Sequence, residues 1–149
     1  MHDLFDPTDR RSILDRIDGL NPQSQRQWGK MEIAQMMAHC AVPLEQAASG
    51  RQVRQRLIGK LLAPFVRGSI LGEKPFGRNA PTDPDFKVAD PRDFAQEKTR
   101  LLAAIDAFVR RGPDAMGNQT HPFFGRMRGQ QWGWLMYKHL DHHLRQFGA

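Results

Sequence analysis

The sequence predicts an all-α protein: a four-helix bundle with extra short helices and one long proline-rich loop. Three observations carry this. Apolar residues recur at three-and-four spacing in several separate stretches, which is the period of a helix with one buried face. No stretch shows convincing strand alternation, and the periodic stretches are separated by glycine and proline clusters. With 149 residues, 40% hydrophobic and 26% charged, the chain reads as one domain over residues 1–149 with enough apolar material for a continuous core.

The elements follow in order. Thr8 serves as N-cap of a short helix with Asp9 in its first turn, Ile13, Leu14 and Ile17 as its stripe, and Gly19 just past its end. From Met31 to about Ser49, the residues Ile33, Met36, Met37, Cys40, Ala41 and Leu44 mark an amphipathic helix. His39 lies in its middle, on a polar line with Glu32, Gln35 and Gln46. Pro43 removes the backbone hydrogen bond to the carbonyl of His39, which predicts a bend there. Gln52 to about Ala63 reads as a third helix, with a shorter piece after Pro64. Its apolar stripe is expected to pack on the bundle or on a second subunit.

Gly72 to Pro91 has no helical period and contains Pro75, Pro81, Pro84 and Pro91, the composition of a long loop that could cover a site. Asp90-Pro91 supplies an N-cap and a first-turn proline for the next helix. Its stripe is Phe94, Leu101, Leu102, Ile105, Phe108 and Val109, and Gly112-Pro113 stops it. A second loop, Asp114 to Gly129, presents His121 before Pro122, where the backbone is extended. The last helix runs from about Gln130 to Phe147, with Trp132, Leu135, Met136, His139, His143, Leu144 and Phe147 on its stripe.

Charge and composition narrow the function classes. The start Met1-His2-Asp3-Leu4-Phe5-Asp6 has neither the basic residues nor the apolar run of a signal peptide, and no run is long enough for a membrane span. A cytoplasmic protein is expected, and the single Cys40 fits a reducing compartment. The formal charge of +6 is concentrated between Arg51 and Arg78, where seven bases meet one acid, Glu73. A solvated basic face is the simplest reading. An anionic surface is the alternative partner, and no nucleic-acid fingerprint accompanies the charge.

Half of the six histidines lie in Lys138-His139-Leu140-Asp141-His142-His143. On a helix, residues four apart differ by about 40° of rotation and roughly 6 Å of rise, so His139 and His143 share a face. His139 and His142 are a weaker option at three apart. Two imidazoles hold a metal weakly, and His39 on another long helix is the candidate third ligand. Metal sites in bundles are built in this way, from side chains facing inward on neighbouring helices. Three neutral imidazoles would leave a coordination position for water or substrate, as in catalytic rather than structural zinc. All-nitrogen ligation suits zinc, nickel, copper or iron.

Trp28-Gly29-Lys30-Met31, Ala34-Gln35-Met36, Ala38-His39-Cys40, His121-Pro122-Phe123-Phe124-Gly125, Trp132-Gly133 and the run Lys138 to Gly148 together resemble a domain-of-unknown-function branch of the DinB-like (YfiT-like) superfamily. The resemblance extends over nearly the whole chain and includes Pro81-Thr82. It implies a four-helix bundle, often a homodimer, with a metal held by one histidine of the second helix and an i, i+4 pair of the last. Carried over, these are His39, His139 and His143, which chooses His143 over His142.

Some members of the superfamily it resembles transfer low-molecular-weight thiols, so the resemblance implies a divalent transition metal, zinc or nickel first, activating a small thiol or water for attack on a small electrophile, with thiol S-transfer preferred. His121 and Glu32 are the candidate proton carriers. The rival readings are a non-enzymatic dimeric bundle and a module that binds an anionic surface through residues 51–78.

Overall fold

The structure, a computed structural model, describes residues 1–78 and 87–149. Pro81-Thr82 and Pro84 lie outside the described residues. The protein is mostly helical, as the apolar periodicity predicts. Among the described residues, five helices occur: α1 (Pro7–Asp18), α2 (Ile33–Ala48), α3 (Leu57–Ile70), α4 (Phe94–Gly117) and α5 (Gly129–Gln146).

The termini of these helices correct several expectations. The N-cap of α1 is Asp6, not Thr8: with Pro7 in the first helical position, the Asp6 carboxylate accepts from the backbone N–H groups of Thr8 and Asp9 at 2.8 and 3.0 Å. The N-cap of α4 is likewise Asp93, which accepts from Gln96 N at 2.8 Å, while Asp90 pairs with Arg92. Gly112 (φ 78°, ψ 159°) breaks α4 as its Gly-Pro pair predicts, but the chain resumes helical turns to Gly117. α2 runs through Pro43 without ending. The third helix starts later than Gln52 and continues unbroken past Pro64 to Ile70.

The helix contacts define the bundle. α2 packs most extensively on α4, α5 lies against α4, α1 and α2, and α3 stands outside this set of helix pairs. The short α1 therefore completes the bundle in place of α3. Ile13 and Ile17 of α1, Met36, Met37 and Leu44 of α2, Leu101, Ile105 and Phe108 of α4, and Leu140 and Leu144 of α5 are all at most 1% exposed. Each such side chain contributes about 1.5–3 kcal/mol by leaving water. At the rim, Arg100 of α4 grips Glu45 of α2 through two hydrogen bonds of 2.7 Å.

The expected loop between α4 and α5 contains a small antiparallel hairpin, β1 (Thr120–His121) with β2 (Gly125–Arg126), pairing Thr120 with Arg126 and His121 with Gly125. Two residues a strand are too few for any alternation to register in sequence. The hairpin holds the start of α3: Arg56 N donates to Pro122 O at 2.8 Å and Gln55 Nε2 to Phe123 O at 2.8 Å. Arg67 reaches the carbonyls of Phe124 and Arg126 at 3.1 and 3.0 Å. Any Cβ on Gly59 would strike the Phe123 carbonyl, so a glycine is what lets the helix lie this close. The other end of α3 is fastened to α5. Trp134 Nε1 donates to Leu71 O at 2.9 Å, and the buried Lys138 ammonium donates to Ile70 O and Gly72 O at 2.8 and 2.7 Å. A cation on the last carbonyls of a helix satisfies groups that have no intrahelical donor.

Candidate metal centre

α2 and α5 bring the three expected histidines together. His39 Nε2 and His139 Nε2 are 3.0 Å apart, and one nitrogen from each of His39, His139 and His143 falls within 4.8 Å of the others. The three rings meet edge to face, with centroids 4.6–4.9 Å apart. His39 and His143 are buried, at 3% and 8% exposure.

The local sequence explains the placement. Four-residue spacing on α5 stacks His139 under His143. On α2, an almost entirely apolar helix, His39 sits among buried Met36, Met37, Ala38 and Cys40, so its imidazole points into the bundle. Cys40 is no competitor. Its thiol is sealed against Met36 Sδ at 3.7 Å, and burial pushes its pKa far above the ordinary thiol range.

The chemistry of this donor set fits a metal ion. His143 Nδ1 lies 2.9 Å from Gln146 Oε1, and Gln146 Nε2 in turn donates to Trp28 O at 2.8 Å. The amide is thereby oriented with its oxygen towards the ring, so Nδ1 carries the proton and Nε2 keeps the lone pair. Burial is the main reason that His143 titrates far below 6.5, at about 3, with the neighbouring His39 adding to the effect. His139 is also held well below 6.5, first by burial and then by His143 and His39. Both rings are therefore neutral at physiological pH, the form that ligates. Two ligand atoms about 2.1 Å from one ion stand roughly 3.0–3.4 Å apart for angles between square and tetrahedral. The His39–His139 separation lies in that range. The group His39, His139 and His143 could thus hold a metal ion.

Gln146 is a candidate site residue to which the sequence alone gives no role. It falls seven residues after His139, which suggests a shared face, but its partner is His143, three residues before it. Its other anchor is more than a hundred residues away in sequence, in the connection before α2. There Gly29 takes φ 80°, and a Cβ at that position would collide with Gln146 Nε2. The Trp28-Gly29 pair thus supplies both the carbonyl that Gln146 grips and the bare backbone that lets it approach. Gln27 N closes the same junction on Gln146 O at 2.7 Å.

His142 is not one of the three grouped histidines but lies beside them, its ring edge to face with that of His143 at 5.0 Å. Its ring packs by Trp28 (5.9 Å) and Phe76 (5.8 Å), and burial lowers its pKa. A cavity of about 170 Å³ opens beside it, lined by Trp28, Phe76, Arg78, Lys138 and Arg145 among others. Arg78 lies over the Trp28 ring at 4.6 Å and Lys138 over Phe76 at 4.6 Å. Asp141 on the same wall is engaged by Arg16 and Arg145 at 2.9 and 3.0 Å.

The two expected proton carriers are placed differently. His121 is half-buried on the hairpin, where Nδ1 accepts from Phe123 N and Phe124 N, both at 3.1 Å, and its ring lies 5.0 Å from that of Trp132. The His-Pro-Phe-Phe-Gly run is thus a self-braced turn whose outward carbonyls receive α3. Glu32 is exposed at the N-cap of α2, two turns before His39, and its backbone N–H donates to Gln35 Oε1 at 2.9 Å. Trp132, two turns before His139 on α5, has a buried indole N–H with no hydrogen-bond partner among the described residues.

The family model described as "Protein of unknown function (DUF1569)" matches residues 5–149. No curated protein matches the chain, and no solved structure does.

Proposed function

We propose, from the premise that this chain belongs to the DUF1569 family of proteins of unknown function, that it is a metal-dependent enzyme acting on a small thiol. His39, His139 and His143 hold a divalent transition ion, zinc or nickel, and transfer of the thiol to a small electrophile is preferred over hydrolysis. When bound, the ion supplies Lewis acidity and lowers the pKa of a coordinated thiol or water. The single observation that carries this reading is the buried meeting of three imidazoles, of which His143 is oriented by Gln146.

The protein's own residues supply the rest. Three protein ligands leave room for a substrate atom. The cavity beside His142 has aromatic walls and an excess of cations, which suits a small molecule bearing an anionic group. For proton transfer the reading favours His121: with Nδ1 accepting two backbone N–H groups, the proton of its neutral ring lies on Nε2. Glu32 is the second candidate. The DinB-like resemblance supports the ligand set and the thiol, and adds a homodimer to the proposal.

The test is turnover by metal-loaded protein with a panel of low-molecular-weight thiols and small electrophiles, beside His143→Ala. We expect thiol-dependent consumption of the electrophile that the variant lacks. Folded, metal-loaded protein that turns over none of the panel would sink the enzymatic reading and leave a bundle with a vestigial site.

A further inference from the structure

α3 is built unlike the other helices. Its inward side is made of Gly59, Ala63, Val66 and Ile70, while Leu57, Ile58, Leu61, Leu62 and Phe65 face outward. Those five are 78%, 58%, 71%, 46% and 84% exposed, and with Val53 at 36% they include nearly all the exposed large apolar side chains of the described residues. On a helical wheel the five occupy one continuous arc of about 140°. Isolated apolar residues on a surface are ordinary, but a contiguous stripe of five marks an interaction site. What holds α3 in place is chiefly polar: the hairpin carbonyls at one end, and Trp134 and Lys138 at the other. The helix is thus fastened at its ends while its larger apolar face stays in water.

Charge decides between occupants. From Gln46 to Gly72 the chain contains no acid and five bases: Arg51, Arg54, Arg56, Lys60 and Arg67. Arg67 is taken up by backbone carbonyls, whereas Arg51, Arg54 and Lys60 are exposed beside the stripe. A second copy meeting the first through α3 would bring these cations together with no acid of the segment to neutralise them. A membrane surface rich in anionic lipid neutralises them while taking up the apolar arc, the combination by which amphipathic helices lie in an interface. Among the described residues no helix is long and apolar enough to cross a membrane, so the contact proposed is peripheral.

We propose that α3 is a peripheral membrane-docking helix, with Leu57, Ile58, Leu61, Leu62 and Phe65 entering the surface of an anionic bilayer and Arg51, Arg54 and Lys60 meeting lipid headgroups. The proposal stands independently of the metal centre. It is tested by sedimentation of the full chain with vesicles of phosphatidylcholine containing phosphatidylserine, against vesicles of phosphatidylcholine alone. The wild type should sediment with the first and not the second, and high salt should release it. Arg54→Gln and Lys60→Gln should each weaken partitioning about fivefold. Leu61→Ser with Phe65→Ser should abolish it while leaving the circular dichroism spectrum unchanged, because neither side chain is part of the core. Failure of the wild type to bind anionic vesicles would overturn the proposal, as would equal, salt-insensitive binding to both. A dimer in light scattering that the Leu61/Phe65 variant dissolves, with no vesicle binding by the wild type, would give the face to a second copy instead.

Discussion

Replacing Gln146 should weaken metal binding without removing a ligand. Its amide joins two buried groups, the His143 Nδ1–H at 2.9 Å and the Trp28 carbonyl at 2.8 Å. Gln146→Ala leaves both unpaired, and each buried group without a partner costs about 1–3 kcal/mol. Part of that cost falls on the fold and lowers the melting temperature. The rest falls on the metal, because a ring no longer fixed by its outer hydrogen bond must be oriented on binding. Loss of such a partner typically reduces metal affinity 10- to 100-fold, or about 1.4–2.7 kcal/mol. Gln146→Glu separates the two effects: it keeps an acceptor for Nδ1–H, now charged, and loses the donor to Trp28. Its metal affinity should equal or exceed that of the wild type, although its stability falls. Competition with a chromophoric chelator reads the affinity, and thermal unfolding of apo-protein reads the fold. A wild-type affinity in Gln146→Ala would refute the assignment of Gln146 to the site.

Two further outcomes follow from the same geometry. Gly29→Ala should lower both stability and metal affinity, since an L residue at φ 80° costs about 1–2 kcal/mol and its Cβ would push on Gln146; Gly68→Ala, in open space on α3, should instead stabilise by roughly 0.5–1 kcal/mol. Thermal unfolding of both variants checks the contrast, and equal effects would contradict it. Apo-protein should lose stability as pH falls. His143 is neutral in the folded state down to about 3 but protonates near 6.5 when unfolded, so between those values the unfolded chain binds more protons and acid favours it. The slope should approach about 1.4 kcal/mol per pH unit for His143, with His139 adding in the same direction. Denaturant titrations of apo-protein from neutral to mildly acidic pH read it, and a flat profile would contradict the neutral buried rings.

The three histidines were legible because helical spacing alone aligns His139 with His143, and an apolar helix with one central imidazole singles out His39. The choice between His142 and His143 rests on the family resemblance; in the structure His143 groups with His39 and His139 and meets Gln146, while His142 packs on Trp28, Phe76 and the His143 ring. The role of Gln146 was illegible because it depends on the backbone at Trp28, which no local pattern links to α5. The same limit explains the bundle. Periodicity identifies α3 as a helix with apolar residues on more than one side, but it cannot say that Gly59 and Ala63 face inward and Phe65 outward. That follows from how closely the hairpin approaches Gly59. The helix caps were misplaced because Asp6 and Thr8, or Asp90 and Asp93, are equally good capping residues by type. Only the hydrogen bonds to Thr8, Asp9 and Gln96 separate them.

The most direct measurement is the metal content of protein purified without chelators, by elemental analysis, for the wild type beside His39→Ala, His139→Ala and His143→Ala. We expect about one equivalent of zinc or nickel per chain in the wild type and a strong loss in each variant, since removing one ligand of three leaves a weak pair. His142→Ala, which alters the neighbouring ring but no ligand, should keep its metal. Unchanged content in the three ligand variants, or no metal in wild-type protein even after reconstitution, would contradict the account.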